Sequence, residues 1–130
     1  MSNSRHDELR RKAMQMLALL PLTELAKAQD ALIAQPQTYR LVLENSHVRV
    51  LGYTGRPGMG VCGNGLHSHP AHLGVVLSDG RARERLPNGH VEEVNVHRGE
   101  VFWSEAITHE TENIGGQNIE SLLIELKGVV

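Results

Sequence analysis

From Thr38 onward, short runs rich in Val, Leu and Ile alternate with turn residues, and this pattern constrains the fold more than any other. Apolar residues recur at every second position of these runs, as they do on one face of a β-strand. The turn residues return about every eight to twelve positions, a spacing typical of β-sandwiches and barrels. The pattern predicts an all-β domain with strands at Tyr39 to Glu44, Val48 to Tyr53, Leu66 to His69, Leu73 to Leu77, Arg81 to Leu86, Val91 to Val96, Val101 to Trp103, Thr108 to Asn113 and Asn118 to Leu126.

Asn88-Gly89 is the strongest turn signal, because this dipeptide favours the two-residue type I′ turn of a β-hairpin. A hairpin centred there pairs Arg85 with Glu92, Arg83 with Val94, and Arg81 with Val96. The three arginines alternate along the strand and therefore share one face. That face is either solvated, or it lines the interior beside the two valines. In the second case Arg81 or Arg83 binds a carboxylate bidentately.

The first 37 residues have helical rather than strand periodicity. One apolar stripe ends at Pro21 and a weaker one ends at Pro36. We expect a helical arm over residues 1–37, packed on the barrel or on a partner subunit, and a barrel domain over residues 38–130. Two alternatives are a signal peptide, because a basic cluster precedes an apolar run, and a helix-turn-helix, although no basic recognition helix follows.

Length and charge exclude several classes of protein. The 130 residues suffice for one domain. The net charge is -2, whereas a nucleic-acid-binding surface has an excess of basic residues. No apolar run is long enough for a transmembrane helix. The single cysteine, Cys62, has no second cysteine with which to form an intrachain disulfide. It is not expected to be a catalytic thiol, because no partner base is recognisable near it in the sequence. We therefore expect a cytoplasmic protein that binds neither nucleic acid nor membrane.

Histidines with metal-ligand spacing are the main chemical signal. His67 and His69 alternate on a predicted strand, so both imidazoles face the same side. His109 lies in a later predicted strand that a closed barrel can bring opposite this pair. Neutral imidazole is a ligand for zinc, copper, iron and nickel. The spacing therefore indicates a metal site built from these three residues.

These segments resemble the two motifs of the cupin superfamily. His67-Ser68-His69 with Gly80 downstream resembles the first motif, and Gly99, Val101-Phe102-Trp103 and His109 to Asn113 resemble the second. The stretch from Glu44 to Lys127 is similar to small single-domain cupins. The resemblance implies a cupin-type jelly-roll barrel, commonly a homodimer, with one divalent metal ion held by His67, His69 and His109.

The sequence departs from the family pattern at the glutamate ligand. Leu73 occupies that position, and a spacing one residue longer gives Gly74. Three arrangements stay open. The three histidines hold the metal alone, as in three-histidine cupin dioxygenases; His72 is a fourth ligand; or the site holds no functional metal.

Charge bears on the substrate. Three neutral imidazoles leave a divalent ion its full double charge, which favours an anionic ligand. We expect a dioxygenase or isomerase that acts on a small anionic metabolite with one Fe, Zn, Ni or Mn ion. The alternative is a non-catalytic small-molecule-binding or sensor cupin without a functional metal.

Side-chain alternation assigns the remaining candidates. Phe102 and Trp103 face opposite sides of one strand, so one packs in the core and the other lines the pocket or a dimer interface. Trp103 joins Arg81 and Arg83 as a candidate substrate contact. Glu110 and Glu112 face away from His109 and are not expected ligands, whereas Asn113 shares its face as a hydrogen-bonding neighbour.

Overall fold

The computed structural model describes residues 29–58 and 65–128. In this part of the chain one short helix, α1 (Ala31–Ala34), precedes nine strands. They are β1 (Tyr39–Glu44), β2 (Val48–Gly55), β3 (His67–His69), β4 (His72–Val76), β5 (Gly80–Arg85), β6 (Val91–Val96), β7 (Val101–Ser104), β8 (Ile107–Asn113) and β9 (Ile119–Leu126). Every predicted strand is confirmed, with each end within two residues of the expected position.

The strands form two antiparallel sheets. One sheet has the order β1-β2-β9-β4-β7, and the other has the order β3-β8-β5-β6. Five buried apolar side chains from the two sheets form one cluster: Val76, Val94, Val96, Phe102 and Ile119. The sheets therefore pack face to face around a shared core, and the predicted all-β jelly-roll architecture is confirmed.

A second cluster and an ion-pair network fix the segment that precedes β1. Ala31 packs with Tyr39 and two leucines of the five-stranded sheet. Asp30 accepts a hydrogen bond from the Leu32 N–H and binds Arg49 at 2.6 Å. Arg49 also binds Glu125 at 2.6 Å, and these two carboxylates raise the pKa of Arg49. The chain before the barrel is thereby tied to β2 and β9.

Most of the predicted arm over residues 1–37 lies outside the described residues, which begin at residue 29. Its described remainder contains α1 and the turn that leads into β1. No helix within the described ranges has both the length and the apolar character needed to cross a membrane.

The predicted hairpin register is wrong by one residue on one strand. The loop contains three residues, Pro87, Asn88 and Gly89, and the Leu86 N–H donates to the His90 carbonyl at 2.9 Å. Pro87 has no N–H and cannot form the hydrogen-bonded pair that would close a two-residue loop. Gly89 accommodates the longer turn with a φ of 91°.

Because of this shift, the face of β5 that pairs with the core residues of β6 is the opposite of the one in the predicted register. Arg83 lies opposite Glu93, and Ala82 lies opposite Val94. Because Val94 belongs to the core, the residues of β5 that face inward are the alternate set containing Ala82 and Glu84. The three arginines consequently face outward.

Candidate metal centre

Three buried histidines meet between the sheets, as the spacing predicts. His67 and His69 stand on β3, and His109 stands on β8 as the backbone partner of His67. Their side chains are almost fully buried, with exposed fractions of 2%, 3% and 3%. One ligand atom from each lies within 4.8 Å of the other two. The cluster is compatible with a divalent metal, since three imidazoles form a common donor set for such ions.

Hydrogen bonds define the orientation of the His67 ring. Its Nδ1–H donates to the Gly65 carbonyl at 2.6 Å, so Nε2 carries the lone pair and accepts from the Tyr39 hydroxyl at 3.0 Å. Burial, followed by the electrostatic effect of the neighbouring His109, lowers the pKa of His67 to about 3. His67 is therefore neutral at physiological pH, which is the form that binds metals.

His109 is oriented by a carboxylate. Its Nδ1–H donates to Glu84 on β5, and both side chains are buried. Glu84 lies opposite Thr111, two residues from His109 on the same face of the sheet. With Nδ1 engaged in this way, the neutral ring has its lone pair on Nε2.

His72 lies on the cavity wall, outside the three-histidine cluster. It stands on β4 in the other sheet, and its ring centroid is 5.2 Å from that of His69. Its Nδ1–H donates to the Pro70 carbonyl at 2.8 Å. Its ring atoms do not fall within the 4.8 Å set formed by the other three, so the described arrangement favours three ligands.

Neither residue at the family's glutamate position supplies a ligand. Leu73 pairs with Trp103 on the outward face of β4, whereas Gly74 faces inward. The Phe102 ring covers Gly74 so closely that a Cβ there would lie 2.2 Å from Cζ. Phe102 thus occupies the space that a longer side chain at position 74 would need.

A cavity of about 90 Å³ opens beside the histidines. Its polar lining includes His69, His72, Glu84 and His109. Its apolar lining includes Val76, Val94, Val96, Phe102 and Ile119. The interior therefore offers a small space whose wall combines polar and apolar side chains.

Two residues of this site were not predicted from the sequence. Tyr39 and Glu84 both contact the clustered histidines, yet neither lies in a histidine motif. The signal for Glu84 was the period of two in β5, which places it on the face opposite Arg83 and Arg85. The signal for Tyr39 was weaker, because the sequence shows only an aromatic residue at the start of a predicted strand.

Arg81, Arg83 and Trp103, the expected substrate contacts, are not among the described residues that line the cavity beside the histidines. Arg81 and Arg83 face outward and bind Glu93 at 2.7 and 3.0 Å. The Glu93 carboxylate raises the pKa of Arg83. The Trp103 Nε1–H donates to Glu105, and Phe102 is the residue of this pair that lines the cavity. The one-residue register shift explains why Arg81 and Arg83 face outward rather than into the barrel.

The prediction that the two glutamates of β8 face away from His109 is confirmed. Glu110 and Glu112 bind Arg85 at 2.8 Å and Arg83 at 3.2 Å. Asn113 is buried, but its Nδ2 donates to the Gly55 and Gln117 carbonyls, which lie outside the histidine cluster. Cys62 lies outside the described residues.

Solved structures with the same fold are similar to this chain. A cupin domain from Bordetella pertussis matches with a TM-score of 0.58 and 20% identity, over 78% of this chain and 98% of that chain. A protein from Bacillus halodurans matches with a TM-score of 0.51 and 17% identity, over 83% and 78%. A cupin superfamily protein from Desulfitobacterium hafniense matches with a TM-score of 0.50 and 18% identity, over 82% and 88%. No family model and no curated protein matches the chain.

Proposed function

The chain has the cupin fold, and on this premise we propose that it holds one divalent metal ion, Fe, Zn, Ni or Mn, through His67, His69 and His109. The observation that carries this proposal is the convergence of three buried ligand atoms within 4.8 Å. Three protein ligands leave further coordination positions for water or substrate, as in catalytic metal sites.

We further propose that the protein is a dioxygenase or an isomerase for a small anionic metabolite. When bound, the ion supplies Lewis-acid chemistry or, as iron, oxygen chemistry. No lysine or arginine is among the described residues that line the cavity, so the ion provides the positive charge for an anionic group.

The size of the cavity limits the substrate. Its volume of about 90 Å³ is below the roughly 150 Å³ that accommodates benzene in an engineered apolar cavity. Much of its wall consists of valine, isoleucine and phenylalanine side chains. These dimensions support a metabolite with one charged end and a short apolar portion.

One observation favours the alternative of a metal-free ligand-binding or sensor protein. The Tyr39 hydroxyl donates to Nε2 of His67, and the Gly65 carbonyl accepts from Nδ1–H. Both ring nitrogens of His67 are thus satisfied by the chain itself. A metal at either nitrogen has to displace one of these partners.

Metal content distinguishes the two functions. We would measure it by elemental mass spectrometry on protein purified without a nickel column, alongside a His67→Ala/His109→Ala double variant. A matched control is His47→Ala/His97→Ala, which removes two exposed histidines. About one equivalent of metal in the wild type and control, with none in the site variant, supports the proposal. Circular dichroism verifies folding, and His69→Gln replaces the double variant if it unfolds.

A wild-type protein without metal contradicts the metal proposal. A shift in its melting temperature with a metabolite then supports the sensor. If metal is present, oxygen consumption with small thiols and carboxylic acids tests the dioxygenase. Metal without oxygen consumption leaves isomerisation, which NMR of the same acids follows directly.

A further inference from the structure

Glu84 is one of three glutamates in the described ranges that are equally and almost fully buried, together with Glu110 and Glu125, each 4% exposed. Glu110 binds Arg85, and Glu125 binds Arg49. Glu84 instead binds a histidine of the metal cluster, at the edge of the cavity. This difference in partner separates Glu84 from the two glutamates that serve the outer ion pairs.

We infer that Glu84 is a positioning residue that fixes the His109 ring for metal binding, an inference that rests on the proposed metal site. A carboxylate oxygen that accepts the hydrogen bond from Nδ1 favours the tautomer with hydrogen on Nδ1. That tautomer presents the Nε2 lone pair as the ligand. A carboxylate in this role also makes the imidazole a stronger donor.

The surrounding structure holds Glu84 in place for this role. The ladder between β5 and β8 sets Glu84 opposite Thr111, and the neighbouring Arg83 and Arg85 bind the outward glutamates of β8. These outer ion pairs fix the same two strands whose inner faces carry Glu84 and His109. The inner pair is therefore set by backbone register rather than by a flexible loop.

Glu84 also supplies negative charge close to the ion. Leu73 faces outward and Gly74 has no side chain, so neither contributes a carboxylate at the cluster. Glu84 does so from beyond the ligands themselves. Its charge partly offsets the double charge of a divalent ion, which strengthens binding of the cation.

Metal affinity tests the inference. We would titrate Zn²⁺ against a chromophoric chelator for the wild type, Glu84→Met and the matched variant Glu110→Met. We expect Glu84→Met to weaken binding roughly 10–100-fold and the control to match the wild type. Glu84→Gln, which keeps an acceptor but loses the charge, should fall between them and replaces Glu84→Met if that variant unfolds. Equal affinity in the wild type and both Glu84 variants overturns the inference.

A second readout uses no metal. Nitrogen-15 NMR of the histidine rings reports which nitrogen of His109 carries the hydrogen in the metal-free protein. We expect hydrogen on Nδ1 in the wild type and in Glu110→Met, and a mixture of tautomers in Glu84→Met. If the wild type binds no zinc but shows this difference, the metal function fails and the orienting contact stands. If the wild type binds zinc and the tautomers do not differ, the positioning role fails.

Discussion

At the scale of single residues, Tyr39 is the side chain that would compete with a metal ion for His67. Its hydroxyl donates to the nitrogen that carries the His67 lone pair, at 3.0 Å inside the core. A buried hydrogen bond of this kind stabilises a folded protein by about 1 kcal/mol. The same contact competes with a metal at Nε2, so the hydroxyl stabilises the metal-free state specifically.

We therefore expect Tyr39→Phe to lower the free energy of unfolding of the metal-free protein by about 1 kcal/mol. Its affinity for Zn²⁺ should rise about fivefold, because metal no longer has to displace the hydroxyl. Urea unfolding and chelator competition measure the two effects. Tyr53→Phe is the control, since the Tyr53 hydroxyl bonds to Thr111 instead of a histidine. Weaker zinc binding by Tyr39→Phe would contradict the expected competition between the Tyr39 hydroxyl and a metal ion for Nε2 of His67.

The lowered pKa of His67 predicts how acid affects the metal-free protein. The unfolded chain takes up a proton near the ordinary pKa of 6.5, whereas folded His67 does so only near 3. Stability is therefore lost as the pH falls through this window, by at most about 1.4 kcal/mol per pH unit for this residue. Urea unfolding between pH 4 and 7 should show a shallower slope for His67→Gln than for the wild type. The exposed His97→Gln should keep the wild-type slope, and equal slopes in all three exclude this role for His67.

At the scale of secondary-structure elements, the sequence predicts the strands well and one of their registers poorly. Apolar alternation and turn residues locate all nine strands, because most of them turn one face toward the space between the sheets. The predicted register of the hairpin is wrong because of Pro87, whose missing N–H lengthens the loop by one residue. That shift puts Arg83 outside the barrel and Glu84 inside it. A one-residue error in a turn thus reverses the roles of both side chains.

Ion pairs on different elements should differ greatly in their contribution to stability. Arg49 joins Asp30 and Glu125, and the Glu125 side chain is only 6% exposed. We expect Arg49→Ala to lower the free energy of unfolding by about 2–3 kcal/mol, because it leaves a buried carboxylate without its partner. Arg81→Ala removes an exposed pair with Glu93 and should cause no measurable change. Equal losses in urea unfolding of the two variants would contradict this ranking.

At the scale of the whole molecule, the candidate site depends on both sheets. β3 and β8 bring three histidines from one sheet, while β1 and β4 bring Tyr39 and His72 from the other. The sequence predicts the three-histidine cluster because strand alternation and motif resemblance agree there. It does not predict Tyr39 or Glu84, because their contacts arise only when distant strands are placed side by side.

The homodimer remains a prediction. β1 is an edge strand whose Leu41, Val42 and Leu43 are about half exposed, at 50%, 51% and 51%. Exposed apolar edge strands favour association with another chain. We expect light scattering to give twice the 14.3 kDa chain mass, and Leu41→Lys/Leu43→Lys to give the monomer. Leu77→Lys, at another exposed leucine, should stay dimeric; a monomeric wild type contradicts the prediction.

The pairing of β3 with β8 has a mechanical consequence. β3 has only three residues and lies at the end of its sheet, and its His67 faces His109 across the ladder. An ion shared by these two side chains would act as a reversible cross-link between segments far apart in the chain, closing a long loop as a covalent bridge does. Occupancy of the site by a metal ion would then govern how often β3 detaches from β8. It would thereby also govern how often one wall of the cavity opens.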